Sequence, residues 1–310
     1  CVQVTKAQEE FSSAMLNLLS MDFSMESSYA DVLRYNSFMR ERNTRETDTE
    51  GNCAFGDGFF KGLFPNNNGR DFFKLEGEAL EAWKNKYGDK IVDFGAGKLS
   101  NTRTFEPYFV TTGDTIHKEK SIEIANKFLD EVESGVEYTS VFISSVFNSV
   151  PFMEDRIKIA QIAAALCSPG GRVVCWCQSN ESQQFVITKK HSVTNNARLT
   201  FDLDYEPNTV LGDISKHPKV QKGHTADELK DIFSRSFKSI DRIDMISKFW
   251  YLEATKPTVN PERLAEALDF EFNLPYPDGT TLGLADRARK VFEKRLGITL
   301  PGKEETGHGD

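Results

Sequence analysis

No run of about 18 consecutive apolar residues occurs anywhere in the 310-residue sequence, so nothing in it reads as a membrane span. Cysteine is scarce: five residues, at positions 1, 53, 167, 175 and 177. An odd, scattered set in a chain of this length is no disulfide framework. Cys and His also fall at no ligand-like spacing, which excludes a recognisable metal site. A basic excess is missing too: 38 Lys and Arg face 47 Asp and Glu, net charge -9. That balance argues against a broad phosphate-gripping surface and leaves room only for a local basic patch. The opening stretch "CVQVTKAQEEFSSAMLNLL" is charged and amphipathic, without the apolar centre or small-residue cleavage site of a secretory leader. Reduced thiols and no leader predict a reducing, cytoplasmic compartment. No internal repeat is visible.

What is present changes character along the chain. Residues 1–88 lean toward helix, interrupted by polar and glycine-rich stretches such as "NTRETDTEGN" and "FPNNNGR". The aromatic cluster "AFGDGFFKGLF" reads as an anchor on the core. Phe59, Phe60, Phe64, Phe72 and Phe73 read as core packing, with an acceptor-pocket wall as the alternative. "KLEGEALEAWKNKYGDK" predicts a helix capped by Gly88. From residue 91 strands and helices alternate. "KIVDF" and "YTSVFISSVF" predict strands around the helix "KSIEIANKFLDEVESG", which closes at Gly135. "EDRIKIAQIAAALCSPGG" predicts a helix ended by Pro and Gly, followed by the strand "RVVCWCQS". Alternation puts Cys175 and Cys177 on one strand face, as buried thiols. "ESQQFVITKKHSVTNNARLTFDLDY" predicts a hairpin turning at Asn195-Asn196. "TADELKDIFSRSF" has Thr225 as N-cap and Glu228 three residues on, a capping box. "KSIDRIDMISKFWYLEAT" gives one or two closing strands, and two helices follow residue 257. Such alternation marks a mainly parallel α/β sheet.

The chemistry-bearing stretch is "IVDFGAGKLSNTRTFEPY". A strand running into D-x-G-x-G suits a nucleoside or phosphate ligand, because glycine permits the tight turn and close backbone approach. Those positions are Asp93, Gly95 and Gly97; an ordinary strand-to-helix turn has the same look. Glu106, at a second strand end, could accept hydrogen bonds from both ribose hydroxyls, or be an exposed acid before a proline turn. Only 13 positions separate Asp93 from Glu106. About 20 are expected in dinucleotide folds, and a crossover takes about a dozen residues or more. The first crossover is therefore shortened, or Glu106 is not the ribose acid.

"YTSVFISSVFNSVPFMEDRIKIAQIAAALCSPGGRVVCWCQ" runs strand, polar shoulder, "VP" turn, helix, Leu-x-x-Pro-Gly-Gly exit, strand. This order resembles the second half of class I S-adenosylmethionine-dependent methyltransferases, with one residue more in the exit than the family's L-x-P-G-G. "HTADELKDIFSRSFKSIDRIDMISKFWYLEAT" continues the resemblance, which covers roughly 88–256 and is similar to little-characterised bacterial and phage members. The resemblance implies a Rossmann-like, mainly parallel sheet of the seven-stranded type, its last pair antiparallel. It implies an N-terminal cover (1–88), a methyltransferase-like domain (89–256) and a C-terminal helical extension with tail (257–310). It further implies S-adenosylmethionine as cofactor: Asp93, Gly95 and Gly97 at its methionine end, Glu106 on its ribose, Ser144 and Ser145 along the shoulder beside the donor. No residue stands out as a catalytic base.

The acceptor is left open, small molecule or nucleic acid, as is the oligomeric state. Asn148 in "FNSVPF" invites comparison with the Asn/Asp-Pro-Pro-aromatic motif of amino-methylating DNA enzymes, at the wrong proline spacing. His191, His217 and His224, with the basic "SKHPKVQKGH", read as surface residues on a loop, or as the source of a general base. Two rival readings remain. One is a catalytically silent methyltransferase-like subunit, motivated by the short crossover. The other is a nicotinamide-dependent oxidoreductase, disfavoured because the third glycine is missing.

Overall fold

The computed structural model describes residues 78–94, 118–144, 146–150, 152–182, 199–203, 206–212, 219–246, 248–273 and 281–302. The N-terminal readings before residue 78, the predicted hairpin turn at Asn195-Asn196, and everything between residues 95 and 117 lie outside the described residues.

Helix α1 (Glu78–Tyr87) ends where the sequence places its cap: Gly88 has φ +103° and donates its N–H to Lys84 O at 2.8 Å. The chain then enters β1 (Ile91–Asp93). Helix α2 (Lys118–Glu133) closes at Gly135, φ +88°, and leads to β2 (Tyr138–Ser144). A single 3-10 turn (Phe147–Ser149) precedes α3 (Met153–Leu166), which runs directly into β3 (Cys167–Gln178). Three short strands follow, β4 (Leu199–Leu203), β5 (Glu206–Gly212) and β6 (Lys219–Lys222). Then come α4 (Ala226–Ser234), β7 (Phe237–Ile246), β8 (Phe249–Pro257), α5 (Pro261–Glu271) and α6 (Ala285–Leu296).

The main sheet has the order β1-β2-β3-β8-β7. β1, β2 and β3 are mutually parallel, β8 runs against β3, and β7 runs against β8. Four of the five strands therefore point one way, with the antiparallel last pair that the sequence implies. The seven-stranded form is not established; five strands are described in this sheet. β4, β5 and β6 form a separate antiparallel sheet. β4 falls within the segment predicted as a hairpin and pairs with β5. Over the basic stretch the expectation of a loop fails, because it contributes β6.

The sheet faces differ. Val141, Ile143, Val173, Cys175, Cys177, Leu252 and Ala254 point into one core with α2 to α6. Cys175 and Cys177 share that face as alternation requires, both buried and unbridged. The opposite face carries Ser140 and Phe142, covered by Trp83 of α1. The Trp83 indole donates to Ser140 Oγ at 2.9 Å, and its ring lies 5.3 Å from that of Phe142. α3 is buried nearly all round because the sheet, α4 and α5 enclose it. The C-terminal helices share this core through Leu264, Leu268, Val291 and Phe292.

The end of α3 also departs from expectation. The helix stops at Leu166, before Pro169 and the glycines, and it is α6 that satisfies it. Arg295 donates from Nε to Ala165 O at 3.1 Å, from Nη2 to Leu166 O at 2.6 Å, and to Val136 O. A cation at the carbonyl end of a helix opposes the macrodipole as well as closing open acceptors. The "SPGG" stretch instead bulges out of β3: Tyr138 faces Cys167, and the next pair is Ser140 with Arg172. Gly171 is needed there, since a Cβ on it would lie 2.8 Å from both Tyr138 O and Ser168 Oγ. Among the described residues no helix is long and apolar enough to cross a membrane.

Candidate functional site at the carboxyl edge of the sheet

In open parallel sheets ligands sit outside the carboxyl ends of the strands. β1 ends with Asp93 in register with Phe142, and Phe94 N–H donates to Phe142 O at 2.8 Å. The described pairing with β2 thus reaches the residue before the first glycine of D-x-G-x-G. β2 ends at Ser144, two residues beyond Phe142, in register with Trp176 of β3. The backbone therefore brings the ends of β1, β2 and β3 to one edge. Of the predicted site residues, Asp93 and Ser144 stand on that edge by backbone position, while their side chains lie outside the described set. Gly95, Gly97, Glu106 and Ser145 lie wholly outside the described residues, as do His191 and His217.

The shoulder after β2 is tied to β3. Asn148, 3% exposed, accepts at Oδ1 from Gln178 N–H at 2.7 Å. Phe147 is fully buried and stacks 5.6 Å from Phe233 of α4. The insertion β4–β6 leaves the main sheet after β3 and returns beside it, because Ser179 and His224 form a parallel bridge.

His224 corrects the surface-histidine reading. It is fully buried, 6.0 Å from the Phe147 ring. Its Nδ1 faces Gln178 O at 3.1 Å, so that nitrogen carries the hydrogen and donates. Its Nε2 is buried and meets no hydrogen-bond partner among the described residues. Burial first, then the nearby Arg156 and Lys222 cations, hold its pKa well below the ordinary histidine value. His224 is thus neutral at pH 7, with an acceptor lone pair at the carboxyl edge. The signal that could have found it is its place just before the Thr225 cap, where the backbone must rejoin the core.

Lys222 and Arg156, both fully buried, converge on Glu228: Lys222 Nζ lies 2.9 Å and Arg156 Nη2 3.0 Å from the same Oε1. Glu228 Oε2 accepts from Thr225 N–H at 3.3 Å, and Thr225 Oγ1 accepts from Glu228 N–H at 3.1 Å, completing the expected capping box. Sequence reasoning saw the cap and missed the two cations, which arrive from 72 and 6 residues away. A cleft of about 320 Å³ opens at the other end of the strands, lined by Cys167, Ser168, Pro169 and Arg295. Arg295 is committed there to three backbone carbonyls. Among the described residues, no three His, Cys, Asp or Glu side chains group as a metal site.

No family model matches the chain, and no curated protein matches it. Among solved structures it is similar to the CcbJ methyltransferase from Streptomyces caelestis, at 11% identity over 67% of this chain and 100% of that one, TM-score 0.35. A similar structure is an S-adenosylmethionine-dependent methyltransferase from Clostridium acetobutylicum, at 9% identity over 64% and 96%, TM-score 0.36. Another is the glycopeptide N-methyltransferase MtfA, complexed with S-adenosyl-L-homocysteine, at 12% identity over 60% and 90%, TM-score 0.32. These likenesses are remote, and the α/β architecture rests on the strand order and directions given above.

Proposed function

We propose that the chain is an S-adenosylmethionine-dependent methyltransferase acting on an acceptor still to be identified, small molecule or nucleic acid. The observation that carries this reading is the shared edge. The strand that opens D-x-G-x-G ends beside the strand that opens the polar shoulder, in a sheet closing with an antiparallel last pair. An edge where the described pairing reaches Phe94, with the small residues Gly95, Ala96 and Gly97 next in the sequence, fits a nucleoside-type group. In this reading Asp93, Gly95 and Gly97 hold the methionine end, Glu106 the ribose, and Ser144 and Ser145 line the shoulder.

When bound, the cofactor supplies a methyl group already activated as a sulfonium. The chain's own task is alignment of acceptor and donor and exclusion of water. Asn148 fixes the shoulder to β3, and the insertion stands beside the same edge. The net charge of -9 favours an acceptor other than a long phosphate backbone.

Calorimetry with S-adenosylmethionine and S-adenosylhomocysteine, on wild type and Asp93→Ala, tests the proposal. Binding of both ligands, lost in the variant, is the expected result. No heat and no thermal shift would overturn the enzyme reading in favour of a silent, methyltransferase-like scaffold, which the 13-residue spacing from Asp93 to Glu106 favours.

A further inference from the structure

The cleft of about 320 Å³ at the amino end of the strands is built from groups that other contacts already hold still. Its volume lies at the small end of ligand pockets, which run from about 300 to 1,000 Å³. Arg295 is ordered by the carbonyls of Val136, Ala165 and Leu166, and its guanidinium lies 5.7 Å from the Tyr138 ring. Three donations leave two of a guanidinium's five N–H groups, and these meet no partner among the described residues. Burial draws the Arg295 pKa below its ordinary value, and Glu137 is one of the groups that oppose this. A guanidinium stays charged regardless. Glu137 lines the same cleft, is exposed, and makes no ion pair among the described residues.

The walls beside these two charges are apolar and stiff: Pro169, Pro257, Val259 and Leu296. Lys256, leading into Pro257, holds φ +58°, which a non-glycine residue keeps only where its surroundings fix it. Thr258 N–H donates to Ser236 O at 2.8 Å, which pins the chain between Pro257 and Val259.

The charges decide what such a cleft takes. A simple anion meets Arg295 and is repelled by Glu137; a simple cation meets the reverse. An uncharged apolar molecule desolvates the spare N–H groups without replacing their water. A zwitterion satisfies both charges at once, and a carboxylate matches the planar donors of arginine. Side chains already ordered lose little entropy when it binds.

We propose that this cleft binds a free α-amino acid with an apolar side chain. The carboxylate sits on Arg295, the ammonium faces Glu137, and the side chain lies along Pro169, Pro257, Val259 and Leu296. The site is at the opposite end of the strands from the edge proposed for the cofactor, so neither reading depends on the other.

Saturation-transfer NMR on the full chain, with L-leucine as probe, tests the proposal. Two analogues separate the charges: L-leucinamide lacks the carboxylate, and isocaproate lacks the ammonium. L-leucine is expected to receive saturation at its methyl groups, with each analogue binding about tenfold more weakly. Arg295 also ends α3, so replacing it endangers the fold, whereas Glu137→Gln changes an exposed position. That variant should weaken L-leucine about fivefold, the scale of one exposed ion pair, and leave isocaproate unchanged. Absence of saturation transfer to L-leucine would overturn the proposal. So would equal binding of L-leucine and either analogue, or wild-type affinity for L-leucine in Glu137→Gln, since either result reduces the cleft to apolar contact.

Discussion

The side-chain carbonyl of Asn148 accepts the backbone N–H of Gln178 at 2.7 Å, pinning the turn after β2 to the last residue of β3. This oxygen is held by the protein's own backbone, which makes Asn148 a positioning residue of the shoulder. Asn148→Ala removes a buried acceptor and is expected to cost about 1–3 kcal/mol. The readout is a lower urea midpoint with an unchanged slope. If the shoulder lines the cofactor, S-adenosylhomocysteine affinity falls in the same variant. A wild-type midpoint would show that the bond does not hold the turn.

The two glycines of "SPGG" are not equivalent. A Cβ on Gly171 would lie 2.8 Å from a backbone oxygen, whereas one on Gly170 meets nothing within 4 Å. Gly171→Ala is expected to destabilise by about 1–3 kcal/mol through overcrowding. Gly170→Ala should stay within about 0.5 kcal/mol of wild type. Paired urea titrations check the contrast. Equal effects would mean that the bulge is not tightly packed against Tyr138.

What could be read from the sequence was what local chemistry determines. The Thr225–Glu228 box, the caps at Gly88 and Gly135 and the common face of Cys175 and Cys177 depend on spacings of a few residues, and all are present. Arg295 as the terminator of α3 was not legible, because its partners lie 129 and 130 residues away. Nor was the burial of Lys222 and His224. A basic stretch reads as solvated until tertiary packing supplies Glu228 and the end of β3. The strands β5 and β6 were missed for the same reason, since they pair within the separate β4-β5-β6 sheet and not with the core pattern. The candidate site was legible as a motif, with only the backbone ends of its strands, Asp93 and Ser144, on the described edge.

The thiols give a direct check on burial. Cys167 is pushed up to about 12 by burial, against smaller opposing effects of Arg295 and Arg172. Burial, then the neighbouring Cys177 thiol, raises Cys175 well above an ordinary thiol. Only thiolate reacts, and at pH 8 a thiol of that pKa is ionised to about one part in ten thousand. In a Cys1→Ser, Cys53→Ser background, labelling by an aromatic disulfide reagent should therefore track unfolding. Labelling of the native protein within seconds would contradict the burial of all three.

His224 makes stability depend on pH in a definite direction. Its folded pKa lies well below the unfolded value of about 6.5, chiefly through burial and then through Arg156 and Lys222. Between those two values the unfolded chain binds the proton and the folded chain does not. Stability contributed by keeping His224 neutral is therefore complete above pH 6.5 and is lost as pH falls below it. The limiting slope from this one residue is about 1.4 kcal/mol per pH unit. His224→Asn offers an amide N–H toward Gln178 O and removes the titrating ring. Urea denaturation of both proteins from pH 7.5 to 5 should show wild type losing stability faster on the acid side, with the two curves converging as pH falls. Parallel curves would mean that the imidazole takes up its proton in the folded state as readily as in the unfolded one.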